Sequence, residues 1–269
     1  MQRNDTVFTG SIPEIYDSRL VPLMFTPYAD DIVARLDWVD SGHVLETAAG
    51  TGVVTQRLAA TLPAAVRITA SDLNLAMMDR AKARSGMARV AWQQADALAL
   101  PFGDGAFEAV VCQFGVMFFP DRVAGYREAR RVLKPGGRFL FNAWGRLADN
   151  PFSETVHEAI AARYRHDPPQ FFPRTPFGYY DPAVIGADLR AAGFSDFSVE
   201  VLDQQSGAES AALAAIAICQ GTPMRGEIEA REPGGLEAAT EAAAKALAAR
   251  FGDGAVRAPT RAVLVTARR

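Results

Sequence analysis

The segment His43-Val44-Leu45-Glu46-Thr47 runs directly into Ala48-Ala49-Gly50-Thr51-Gly52, and a helical pattern follows from about Val53 to Leu62. This succession of apolar strand, small-residue loop and helix constrains the fold more than any other stretch. Small residues let the backbone turn sharply and approach a ligand closely, and the helix N-terminus behind them presents N–H groups. The same punctuation recurs downstream. Residues 66–71 form a second strand candidate that ends at Ser71-Asp72, and Asn74 to Arg84 reads as a helix capped by Asn74. A third strand candidate, 89–94, ends near Asp96, and 107–112 is a fourth. Arg122 to Leu133 is helical until Lys134-Pro135-Gly136-Gly137 breaks it, and Arg138 to Trp144 is a fifth strand. Strands alternating with helices at this spacing predict right-handed βαβ units and a parallel sheet. Ligand sites then fall at the carboxyl ends of the strands. That edge carries Glu46, Asp72, Asp96 and Gln113.

Two regions depart from the alternation. Residues 1–38 precede the first strand and carry a helical pattern around Leu23 to Trp38, so they form an N-terminal cap. Residues 145–180 contain Pro168, Pro169, Pro173 and Pro176 among Phe171, Phe172, Phe177, Tyr179 and Tyr180, and so cannot be one long helix. This insertion is either a lid over the ligand edge or a segment whose aromatics pack it onto the core. The tail, 181–269, resumes α/β character as the C-terminal half of the sheet. Its helix from Asp181 to Ala192 stops at Gly193, a strand runs from Ser195 to Leu202, and Ala-rich helices occupy 209–219 and 235–251. Arg261 to Ala267 is the last strand. The expected organisation is a single domain over 1–269, with its ligand-binding core in 39–144.

Composition narrows the function. With 269 residues the chain is long enough for a large core at ~150 residues per domain, and its net charge of −3 argues against a generally basic nucleic-acid binder. No apolar run reaches the ~18 residues of a membrane span. Met1 to Gly10 is polar and lacks the apolar core of a leader, so a cytoplasmic protein is expected. Cys112 and Cys219 are too few for a disulfide framework or a Cys-rich metal site, and no Cys/His cluster points to a metal.

The chemistry lies in the acids. Asp72 ends its strand 20 residues after Gly52, where a carboxylate can accept bonds from both hydroxyls of a ribose. A nicotinamide cofactor would use the same acid. As a dinucleotide fingerprint, however, Gly50-x-Gly52-x-x-Thr55 has Thr where the third glycine belongs, and no Lys follows to make a nucleoside-triphosphate loop. Glu46, just before the glycines, would repel a pyrophosphate but suits an ammonium group. With Asp96 it makes three carboxylates on one edge, which favours a cationic ligand without phosphates. S-adenosylmethionine has a sulfonium, an ammonium, a ribose and an adenine.

The stretch Val44-Leu45-Glu46-Thr47-Ala48-Ala49-Gly50-Thr51-Gly52 resembles the first motif of class I S-adenosylmethionine-dependent methyltransferases. Ser71-Asp72-Leu73 with Met77 is similar to the second, and Gln94-Ala95-Asp96-Ala97-Leu98 to the third. Phe107 to Cys112 resembles the fourth strand, and Leu133-Lys134-Pro135-Gly136-Gly137 the turn after the following helix. The set most resembles the small-molecule branch with the quinone-biosynthesis methyltransferases, over roughly residues 44–144. It implies a Rossmann-like doubly wound sheet, mostly parallel with an antiparallel last strand, helices on both faces and a lid or insertion. Two positions depart from the family: Ala48 stands for its first glycine and Glu46 for its Asp. Ala48 is compatible with close approach as long as its φ stays negative.

The resemblance also implies roles. Glu46, Ala48, Gly50 and Gly52 would line the methionine portion of the cofactor. Asp72 would hold the ribose, with Leu73 and Met77 against the adenine and Asp96 and Ala97 at its edge. Gln113 would sit near the sulfonium. Tyr16 and Arg19, ahead of the first strand, would close over the cofactor. Methyl transfer needs a base only where the acceptor loses a proton. His157, His166 and Tyr179 are the candidates, and His43, at the start of the first strand, reads as structural. The expected activity is methyl transfer to a small, partly hydrophobic acceptor bound under residues 1–38 and 145–180. A homodimer is one assembly open to such a chain. A nicotinamide-dependent oxidoreductase and a non-catalytic S-adenosylmethionine-binding protein are the alternatives.

Overall fold

A computed structural model describes residues 3–6, 8 and 10–269. Seven strands form one sheet: β1 (Gly42–Glu46), β2 (Val66–Asp72), β3 (Val90–Gln94), β4 (Phe107–Gln113), β5 (Leu133–Trp144), β6 (Asp196–Ala208) and β7 (Val256–Arg268). Their order is β3-β2-β1-β4-β5-β7-β6. The pairs from β3 through β5 are parallel. β7 runs antiparallel to β5, from Arg138 opposite Arg268 to Trp144 opposite Ala262. β1 lies between β2 and β4, so the strand order reverses there, and a doubly wound sheet opens its ligand crevice at such a point.

Strand burial follows from sequence. Val44 and Leu45 of β1, and Ala109 to Cys112 of β4, are wholly buried in apolar runs, as strands covered on both faces must be. β6 alternates half-buried and exposed residues along most of its length. Its polar run Asp203-Gln204-Gln205-Ser206 hides the extension past Leu202, and β7 likewise begins five residues before Arg261, at Val256.

The chain divides into two compact units. One comprises Tyr28–Trp144, Tyr179–Leu202 and Ala262–Arg269. It holds β1 to β5, with α3 (Val53–Thr61), α4 (Leu75–Lys82), α5 (Arg122–Val132) and α8 (Pro182–Ala191). Asn74 caps α4 as expected, its side chain accepting from the Ala76 and Met77 N–H groups. Asp121 and Asp181 cap α5 and α8 in the same way.

The other unit comprises Met1–Pro27, Gly145–Gly178 and Asp203–Arg261. α1 (Ile12–Ile15) leads into a wide π-wound helix, Tyr16–Phe25, and α2 (Thr26–Ala34) continues from it. Pro22 inside that helix has no N–H to donate, and Thr26 donates five residues back to Val21 O. The helical stretch therefore begins well before Leu23 and ends at Ala34, short of Trp38. Residues 145–178 supply α6 (Pro151–Arg163) and the single turn α7 (Phe171–Arg174). Phe171, Phe172 and Phe177 are buried and in ring contact with one another, so they serve as core. α9 (Ala211–Gln220) and α11 (Leu236–Phe251) form where the Ala-rich pattern predicts helices, and they pack closely against each other. α10 (Met224–Arg231) forms between them where Gly and Pro predict a loop. Within this unit Arg174 pairs with Asp5 at 2.5 Å and Glu227 at 2.6 Å, and the Thr175 hydroxyl donates to Asp5.

Candidate functional site

The carboxyl ends of β1, β2 and β3 are stitched together by polar contacts. The Ser71 hydroxyl donates to Glu46 O at 3.1 Å, and the Ala49 N–H donates to Ser71 O at 3.0 Å. Asp72 then ties the glycine loop to the second strand. Its Oδ2 accepts the Gly50 N–H at 2.8 Å and its Oδ1 the Asn74 N–H at 2.7 Å. Burial raises the Asp72 pKa, and the backbone N–H groups partly offset it. On the far side, Ala95 N–H donates to Asp72 O and the Gln94 side chain donates to Leu73 O. Three strand ends thus form one continuous rim around a carboxylate.

Glu46 is only 2% exposed, and its Oε2 accepts a 2.5 Å bond from the Thr55 hydroxyl. Burial pushes its pKa up to about 8; the Thr55 bond opposes the shift and the Asp72 charge adds to it. At neutral pH this acid holds its proton. Unfolded, the group ionises near 4.5; folded, near 8. Between those values the native state alone binds the proton, so stability falls as pH rises and levels off above about 8. Denaturant unfolding should show a loss of roughly 1 kcal/mol from this group between pH 6 and 7. Glu46→Gln should remove that slope, and parallel pH profiles in the two proteins would refute the assignment.

Backbone strain gathers at the same edge. Ala48 has φ +52° and Phe114 has φ +50°, both in the left-handed region that an L side chain enters at about 1–2 kcal/mol. Ala48 therefore does not keep the negative φ on which its close approach was conditional. It occupies the conformation that glycine would take more easily, just after β1. A Cβ on Gly115 would lie 2.5 Å from the Ala48 Cβ and 2.7 Å from Cys112 Sγ, so the loops after β1 and β4 meet with no room for a further side chain. Phe114 is held in its strained state by neighbours. Its N–H donates to Asn142 Oδ1 at 2.9 Å, and its ring stacks on Trp144 at 3.8 Å and edge-on to Tyr28.

The remaining expected residues fall as follows. Gly50 and Gly52 both take positive φ, +56° and +82°. Leu73 is 58% exposed beside Asp72, and Leu75 is 50% exposed. Met77 is buried, its Cε 3.8 Å from where a Gly50 Cβ would stand. Asp96 is exposed and accepts the Leu98 N–H, and Ala97 is half-buried. Gln113 ends β4 opposite Asn142. All of these lie in the unit that contains β1. Tyr16 and Arg19 lie in the other unit, Tyr16 packed between Phe8 and Phe25 and Arg19 exposed.

His157, on α6, is half-buried with its pKa lowered by burial, and its Nδ1 has no partner. His166 is exposed in the loop after α6. The Tyr179 hydroxyl contacts Tyr126 at 3.1 Å and Asp188 at 2.8 Å beneath the Arg122 guanidinium. Burial raises its pKa, the opposite of what a base needs. His43 bonds Thr69 Oγ1 at the amino end of β1. Among the described residues no group of three or more His, Cys, Asp or Glu could hold a metal ion. None of the described helices is long and apolar enough to cross a membrane. Thr55, Phe114 and Asn142 were not expected at the site. For Thr55 the signal was its place in the first turn of α3, read only as a missing glycine.

A family model described as a methyltransferase domain matches residues 44–137. The ubiquinone/menaquinone biosynthesis C-methyltransferase UbiE of Paracoccus denitrificans is 40% identical over 117 residues, 40% of this chain and 45% of that protein. The demethylmenaquinone methyltransferase of Mycolicibacterium vanbaalenii is 33% identical over 165 residues, 58% of this chain and 69% of its own length. The chain belongs to the class I S-adenosylmethionine-dependent methyltransferases. The chain spans about half the length of several of the curated relatives it matches. Its fold is also that of a Haemonchus contortus phosphoethanolamine N-methyltransferase 2 solved with S-adenosyl-L-methionine. The TM-score is 0.62 at 16% identity, over 99% of this chain and 58% of that one. The matched methyltransferase domain contains the rim from Glu46 to Gln113. Tyr16, Arg19, His157, His166 and Tyr179 lie outside it.

Proposed function

We propose that this methyltransferase binds S-adenosylmethionine along the carboxyl edge of β1 to β4 and methylates a small molecule. The observation that carries the reading is Asp72, a half-buried carboxylate bonded at once to the glycine loop and to the start of α4. An acid so fixed can receive both ribose hydroxyls without reorganising. Leu73 and Leu75 give an apolar platform beside it that a purine would cover, with Met77 beneath and Asp96 and Ala97 at the adenine edge. Thr51 Oγ1, buried in the loop without a partner among the described residues, is a polar group suited to a ligand contact. Glu46, with Ala48, Gly50 and Gly52, faces the methionine portion, and its shifted carboxyl answers an ammonium by releasing its proton. Gln113 orients the end of the site nearest the sulfonium.

Held by Glu46, the glycine loop and Asp72, S-adenosylmethionine would supply an activated methyl group to the acceptor and would leave as S-adenosylhomocysteine. The protein's part is orientation and exclusion of water, which can supply ~7–11 kcal/mol of the barrier. A small-molecule acceptor agrees with the quinone-biosynthesis relatives. The buried aromatics of 171–177 serve as core and lend no support to a hydrophobic acceptor.

Calorimetric titration with S-adenosylhomocysteine should give micromolar binding with a proton released at pH 7, read as a dependence of the heat on buffer ionisation. NAD should give none. NAD binding without S-adenosylhomocysteine binding would replace the reading with an oxidoreductase. S-adenosylhomocysteine binding without turnover over a broad acceptor panel would leave a binding protein.

A further inference from the structure

Within the unit that holds the N-terminal helices lies a cavity of ≈ 520 Å³, a volume suited to a small organic ligand. Its walls come from three distant stretches: the π-wound helix Tyr16–Phe25, the end of β6 running on into α9, and the start of β7. Leu23 and Leu213 make part of it apolar, and Arg19, Arg257 and Glu209 bring charge. Among the described residues neither arginine has an ion pair or hydrogen bond, in a unit where arginines such as Arg174 and Arg261 are held by carboxylates. Glu209 is equally unpaired. Ser206 also lines the cavity. It is only 2% exposed, and its Oγ has no hydrogen-bond partner. A buried hydroxyl without a partner is unfavourable, and a ligand oxygen at that point relieves it. The helix that carries Arg19 is π-wound, a rare geometry that is frequent at functional sites.

We propose that this cavity binds an amphipathic carboxylate: an apolar body against Leu23 and Leu213, and a monoanionic head between Arg19 and Arg257 that accepts from Ser206. A guanidinium offers paired donors that match the two oxygens of a carboxylate. The two arginines and one glutamate leave a single net positive charge. That balances a carboxylate and leaves a phosphate dianion in excess. Glu209 therefore selects for charge as the arginines attract it. The inference moves Arg19 from the cofactor to a second ligand, and it does not depend on the proposed cofactor reading.

The test is calorimetry on the full chain with octanoate, octanol and octyl phosphate, with S-adenosylhomocysteine titrated in parallel. Octanoate should bind saturably and at least about fivefold more tightly than octanol. Arg19→Gln and Arg257→Gln should each weaken octanoate about fivefold, and Ser206→Ala should weaken it less. Glu209→Gln should tighten octyl phosphate more than octanoate. Arg257→Gln should leave S-adenosylhomocysteine affinity unchanged. Equal binding of octanol and octanoate, octanoate affinity indifferent to both arginine variants, or tighter binding of octyl phosphate to the unaltered protein would each overturn the assignment. So would no octanoate binding at millimolar concentration by a protein that binds S-adenosylhomocysteine. The reverse result, octanoate bound through the arginines with no S-adenosylhomocysteine bound, would support this site and defeat the methyltransferase reading.

Discussion

Asp72→Ala should weaken S-adenosylhomocysteine binding at least about a hundredfold. Two charge-assisted hydrogen bonds to ribose hydroxyls are worth roughly 1.5–3 kcal/mol each, and the substitution removes both acceptors. It also frees the Gly50 and Asn74 N–H groups, which now end on the two oxygens of that carboxylate. The loop after β1 would then lose its anchor to β2, and the loss in affinity would combine a missing contact with a loosened site. Asp72→Asn separates the two. It keeps the shape and one acceptor oxygen, so one backbone bond survives and about tenfold of affinity should be lost. Calorimetry on the three proteins, with denaturant unfolding to record the cost to the fold, resolves these contributions. Undiminished binding by Asp72→Ala would remove Asp72 from the ribose and undermine the cofactor site built around it.

Much of this rim was legible because its signals are local. Asp72 ends a strand, Asn74 precedes a helix, and Gly50 and Gly52 sit where a turn must be tight. Each of these is a relation among a few adjacent residues, and adjacent residues constrain one another's backbone directly. The parallel sheet was legible for the same reason, as buried apolar runs spaced by helices. Three features were not legible. The positive φ of Ala48 accompanies packing between loops 67 residues apart, where Gly115 leaves room for the Ala48 Cβ. A propensity argument gives Ala a negative φ, and tertiary structure overrides it at a cost of ~1–2 kcal/mol. The proton on Glu46 depends on burial and on Thr55, and a formal charge count cannot show either. The cavity between Arg19 and Arg257 joins residues far apart in the chain, on strand extensions too polar to read as strand.

Gly52→Ala should destabilise the protein by about 2–4 kcal/mol, and Gly86→Ala by only about 1 kcal/mol. The two glycines have nearly the same backbone, φ +82° and +83°. An L side chain pays the same left-handed penalty at either site. They differ in space. A Cβ at Gly86 meets nothing within 4 Å, whereas one at Gly52 stands 2.8 Å from the Ala81 Cβ and 3.2 Å from Met87 Cε. Met87 is flexible and can yield, but Ala81 is buried on α4 and its Cβ moves only with the helix. Relief therefore requires α3 and α4 to part, or the loop before α3 to rise from the sheet. Either movement shifts Gly50 away from Asp72 and so disturbs the cofactor rim. The expected result is a large fall in the denaturant midpoint for Gly52→Ala with weakened S-adenosylhomocysteine binding, and a small fall for Gly86→Ala with binding intact. Equal falls would mean that backbone strain alone sets the cost, and that the close approach of Gly52 to α4 contributes nothing to holding the loop.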